Sequence, residues 1–327
     1  MPEFSLSTPC HAKVPRLRDE GGSLLHMSAC FIRCLWLSKS IDRHSVTRRF
    51  SYWFLIAIFI VAIVIGALRP LRVSPAYQVI GVIQFAAVVW AAWTLGARAI
   101  TTGNRGPRLL AQAGIFLITP FALLALLWVG LGPPWQATPP ENQMRYLVLA
   151  AMAIAIVVGF VVLREALGEA DKKFRSSVGF ATILLAGPLY LLFDAFGFGV
   201  STARLHGGEV PTAFHDLNAV VDMILFLAGA LTYISTAAFA VSLGRAQWIG
   251  RGAARAFMII SLVALLLLVI RGLHFPDPRA LSMPWYTNPG FIVGIPAVPF
   301  IIPFLFGVVL LRRAGDTVKA SGDGELV

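Results

Sequence analysis

Residues Leu109–Leu131 read LLAQAGIFLITPFALLALLWVGL, an apolar run without a single charged side chain. The hydrocarbon core of a bilayer, ~30 Å thick, takes roughly 20 helical residues to cross, whereas a spanning strand needs only about half that number. No water is present there to satisfy backbone N–H and C=O groups, so a spanning segment must close its own hydrogen bonds. The run is therefore a transmembrane helix, long enough to cross with some tilt.

Seven further runs resemble it: Phe50–Leu68, Ala76–Leu95, Tyr146–Leu163, Val178–Phe198, Ala219–Leu243, Ala253–Leu273 and Phe291–Leu311. The predicted fold is all-α, a polytopic helical membrane bundle of about eight transmembrane helices over residues 50–312. Residues 1–49 form a cytoplasmic segment, disordered at first and then carrying an interfacial helix over Leu24–Ser38; residues 313–327 read as a disordered tail. Composition agrees, with 57% hydrophobic residues and 13% charged, where a soluble domain carries about 25%.

A net charge of +11 invites a nucleic-acid reading, but the charge follows the bilayer instead. If the N-terminus is inside, the leading segment, the even-numbered loops and the tail together hold 20 of the 27 Lys and Arg residues, and Arg255 stands at the same end of span seven. Only Arg69, Arg72, Arg145, Arg204, Arg271 and Arg279 fall on the other side. The positive-inside rule then puts both termini in the cytoplasm and leaves nucleic acid without a case. The expected location is the plasma membrane, of the bacterial inner-membrane kind.

Several chemistries drop out. Cys10, Cys30 and Cys34 all precede the first run, so no span contains a thiol nucleophile or an intramembrane disulfide. With His11 and His26 they match no standard zinc spacing, and they read as free thiols. No lysine lies between Lys173 and Lys319, so spans five to eight hold no Schiff-base lysine. Glycine-rich nucleotide loops, zincin helices and nucleophile elbows are absent too.

What remains is a handful of polar residues at membrane depth. Asp194 lies six residues beyond the centre of span five, ~9 Å from the midplane at 1.5 Å per residue. A carboxylate there costs on the order of 2–3 kcal/mol on insertion scales, which marks it as a functional candidate. Arg271, in the same leaflet, is its expected ion-pair partner. Pro211 and Thr212 read as a helix start, with Thr212 as N-cap. His215, Asn218 and Asp222, at spacings of three and four, then share a face of span six, as Arg271 and His274 do on span seven. His215 and His274 could hold a metal or haem, but a hydrogen-bonded cap explains them more simply, and the residues themselves imply no metal site and leave any cofactor unknown.

Two loops on this side resemble one another, Pro134-Trp135 with Thr138-Pro139, and Pro284-Trp285 with Thr287 and Pro289. Trp135 and Trp285 are expected at the mouth of a cavity. In the last run Pro296, Pro299 and Pro303 lie on one face and predict a bent helix with freed carbonyls. These features together predict an outward-facing polar cavity between helices five to eight for a lipidic or small organic ligand. A transporter of a small solute, or an accessory subunit without its own site, is the alternative; whether the chain is an enzyme is left open.

Overall fold

The computed structural model describes residues 46–58, 60–61, 75–132, 134, 137–168, 174–208, 212–274, 290 and 292–323. Every regular element among them is helical. Helix α1 occupies 46–58 and 60–61, and is followed by α2 (Pro75–Leu95), a 3-10 turn (Ala97–Thr101), α3 (Arg105–Leu131) and α4 (Pro139–Leu167). Then come α5 (Phe174–Leu205), α6 (Thr212–Arg245), α7 (Arg251–His274), two 3-10 turns (Ile292–Gly294 and Val298–Phe300) and α8 (Ile301–Asp323). Seven helices, α2 to α8, are long and apolar enough to cross a membrane. The chain is a multi-pass integral membrane protein. The first run, Phe50–Leu68, lies partly outside the described residues.

Local chemistry sets the helix ends. Asn104 caps α3 by accepting from Gly106 N–H at 3.3 Å. At α4 the Glu141 carboxylate accepts from Thr138 N–H at 2.7 Å and from its hydroxyl at 2.9 Å, with Pro139 at the first helical position, where it loses no hydrogen bond. Thr212 does begin α6. By contrast α5 runs seven residues beyond its expected end at Phe198, to Leu205, because Ser201 and Thr202 return their hydroxyls to Gly197 O and Phe198 O and cost the helix little.

Consecutive helices from α2 to α7 pack side by side, and α8 returns to lie against α3. Lipid has no hydrophobic drive to push helices together, so close approach through small residues has to supply the contact. Gly114 of α3 faces the Gly307 carbonyl of α8, Gly307 faces the Gly114 carbonyl in return, and Gly159 of α4 seats the Leu117 side chain. Ring pairs fill the rest: Phe121 with Phe304 at 5.0 Å, Phe160 with Phe239 at 5.0 Å, and Phe257 with Phe306 at 5.7 Å. Helix α8 is the most enclosed of the seven, with Phe304, Phe306, Leu310, Leu311 and Ala314 all buried, while α7 turns Ile259, Leu262, Val263 and Leu266 outward.

The ends carrying most of the described Lys and Arg are knitted together. Arg48 bonds the Asp316 carboxylate at 2.9 Å and the Arg312 carbonyl at 3.1 Å. Ser51 and Thr94 share a hydrogen bond of 2.6 Å between α1 and α2. Arg312 lies over Tyr52 and Arg313 over Trp248, at 4.8 and 5.2 Å from the ring centres. At the foot of α2 Gly96 abuts the Leu311 carbonyl, a position with no room for a Cβ.

Two expectations need correction. The run Phe291–Leu311 is not one bent helix: its described residues before Ile301 include two 3-10 turns, and the α-helix starts only at Ile301. Pro296 and Pro299 cannot donate to an α-helical ladder, whereas Pro303 falls in the first turn of α8, where no donor is needed. The tail expected to be disordered from residue 313 is helical through Asp323, since the helix continues past the apolar stretch to bring Asp316 to Arg48.

Candidate functional site

At the end opposite the basic one, the segment 290–300 packs against α6 and α7 before α8 begins. Gly290 has φ 75°, a left-handed conformation that suits glycine, and its Cα lies against the Leu267 carbonyl and the Arg271 side chain. Gly294 sits on the Arg271 guanidinium, which in turn lies 4.7 Å over the Phe226 ring. Tyr233 of α6 donates its hydroxyl to the Val293 carbonyl at 2.9 Å, supplying a hydrogen bond that the broken helix cannot make for itself.

Under this segment lie two small voids of about 10 Å³ each, room for about one water molecule. The first is walled by Asp194 and Tyr190 of α5, apolar residues of α4 (Leu149, Met152), Leu225 of α6, and Pro296 and Phe300. Phe226, Leu268, Val293 and Pro299 line the second, and Tyr190, Leu225 and Pro296 are shared by both.

Asp194 is 4% exposed, and among the described residues no other carboxylate or basic side chain borders either void. Tyr190, one turn earlier, shares a hydrogen bond of 3.1 Å with Thr232. The Thr232 hydroxyl itself donates to Ala228 O at 2.9 Å, which uses its one proton, so Tyr190 is the donor and its phenolic oxygen keeps free lone pairs.

Nearer the end of the bundle Tyr146 of α4 stands edge-on to Phe193 at 6.2 Å and presses on Gly197. Arg145 is buried and bonds Asn142 Oδ1 through Nε at 3.2 Å, and Gln143 donates to Thr202 Oγ1 at 3.0 Å, joining α4 to α5.

Asp194 of α5 and Asp222 of α6 lie on neighbouring helices, and of the two only Asp194 borders a void. Arg271 is held apart on α7, beneath Gly290 and Gly294. Ion pairs among the described residues include Arg48–Asp316 and Arg105–Glu165, and none joins Asp194 to Arg271. His215 and Asn218 lie on α6 in the register expected, and His274 is the last residue of α7. Trp135 and Trp285 lie outside the described residues, as do the three cysteines. No group of three or more His, Cys, Asp or Glu assembles among the described residues.

Arg145, Tyr146, Tyr190 and Tyr233 were missed by the sequence reading. Arg145 counted there only as a loop charge, and tyrosines near span ends resemble the ordinary aromatic belt. Chemically the arrangement is a buried acid with an adjacent lone-pair donor in an apolar shell, suited to hold a cation or a proton. Comparison with family models, curated proteins and solved structures gives no match.

Proposed function

We propose that this membrane protein binds a small organic or lipidic ligand at a site around Asp194, in the half of the bundle away from the basic end. One observation carries the reading: a buried carboxylate with no ion pair among the described residues borders a void in an otherwise apolar wall. An acid held at membrane depth is costly, and a bound partner offsets that cost. In this proposal Asp222 of α6 and Arg271 of α7 belong to the approach to the site. The bundle in this proposal has eight spans in the plasma membrane, both termini cytoplasmic and the site outward-facing, which follows from the asymmetry of Lys and Arg.

The test is native mass spectrometry, with an absorption spectrum, of gently extracted protein. A small molecule or lipid retained by the parent chain and lost from Asp194→Asn supports the reading; retention unaffected by that change refutes it. Cysteine labelling at Val327 from the cytoplasmic side tests the orientation, and labelling only from outside reverses it.

A second reading has its own observation. Ion-coupled transporters build their sites at interrupted helices beside buried charges. The break at 290–300, over a buried acid, has that form and supports transport of the ligand as well as its binding. Uptake into proteoliposomes that contain the parent protein and not Asp194→Asn separates the two.

A further inference from the structure

The first void has a size, a charge and a donor-acceptor pattern, and together these narrow the ligand. We infer that it receives a primary ammonium group, so that the ligand is an alkyl- or arylalkylamine. This rests on the binding function proposed above and names its chemical class.

Charge comes first. Among the described residues Asp194 is the one charged side chain that lines the first void, so an anionic head there would meet a carboxylate; the Arg271 guanidinium lies behind Gly294 and Phe226, which line the second. Size comes second. About 10 Å³ is the room of one water molecule, close to that of an ammonium head, and a trimethylammonium group is several times larger.

The hydrogen-bonding pattern is the third argument. An ammonium group has three donors and no acceptor. Asp194 borders the void with a group that only accepts, and Tyr190, whose proton is committed to Thr232, brings no competing donor. A hydrated metal ion demands more oxygen ligands than this wall supplies.

Aromatic faces complete the fit. Tyr190, Phe193 and Phe300 border the void, with Tyr190 and Phe300 at 5.5 Å from each other, and ring faces attract cations. The protein already uses a neighbouring ring this way, in Arg271 over Phe226. The second void, reached past Leu225 and Pro296, is walled by Phe226, Leu268, Val293 and Pro299 and is suited to the start of an apolar tail. A chain of several carbons displaces the Leu225 side chain.

The probes are n-hexylammonium, hexyltrimethylammonium, hexanol and hexanoate, titrated calorimetrically into the full chain in nanodiscs at neutral pH. Hexylammonium is expected to bind saturably, with the other three about tenfold weaker or worse. Asp194→Asn should weaken hexylammonium by about tenfold or more, as expected when a charged hydrogen-bond partner is lost. Leu225→Trp, which fills the void and keeps the acid, should abolish binding. If Asp194→Asn does not fold, Leu225→Trp and Asp194→Glu carry the test, the latter shifting affinity by severalfold.

Equal binding of hexanol or hexanoate, or hexylammonium binding unaffected by these variants, overturns the ammonium assignment and leaves ligand binding standing. No saturable binding of any probe, with an unrelated molecule retained in the mass spectrum, does the same. No probe binding and no retained molecule overturns both.

Discussion

At the basic end, α2 and α8 meet backbone to backbone, Gly96 against Leu311, and the Arg48–Asp316 pair closes the contact. At the opposite end the chain leading into α8 leaves helical form, and its place is held by a tyrosine from another helix, two voids and an acid. One end is filled with atoms; the other keeps space and an uncompensated polar group. Packing that is complete resists change of any kind, whereas the other end holds back stability that a ligand can supply.

Substitutions should therefore differ in sign between the two. The largest effect is expected inside the filled region, where Phe304→Ala removes a fully buried ring in contact with Phe121 and should cost about 3–5 kcal/mol by reversible unfolding in mixed micelles. Gly96→Ala should cost about 1–3 kcal/mol in the same assay, since its Cβ overlaps the Leu311 carbonyl and backbone must shift. A neutral Gly96→Ala would mean that the filled end is looser than described.

Asp194→Leu should move the other way, raising stability by about 1–2 kcal/mol because a buried polar group is exchanged for an apolar one of similar size. A loss of that magnitude would place the acid in a structural network and remove the contrast. The smallest effect is expected from Tyr233→Phe, about 1 kcal/mol, for the hydrogen bond to Val293. Hydrogen exchange of 292–300 should quicken while α8 stays protected; uniform quickening would show that segment and helix open together.

How far the sequence revealed this follows the same division. Although α4 begins at Pro139, well before the expected Tyr146, the positions of spans two to seven and the start of α6 were legible, because hydrophobic length and turn residues act within a few positions. The break before α8 was not, since Pro296 and Pro299 are compatible with a kinked helix or with a stop. What decides is the Tyr233 hydroxyl, some sixty residues away in the chain. Asp194 was legible as the costly residue from its depth alone. Its partner was not, because a shared leaflet says nothing of which helix face an arginine takes, and Arg271 turns to Phe226 instead.

The seat of α8 is made by helices that precede it by nearly two hundred residues or more. Its partners are α3, through Gly114 and Phe121, the foot of α2 at Gly96, and Arg48 at the start of α1. During biogenesis α4 to α7 are therefore made between this groove and the helix that fills it. Docking of α8 is then a long-range closure, slower than the pairing of neighbouring helices and able to occur only once the segments between are in place.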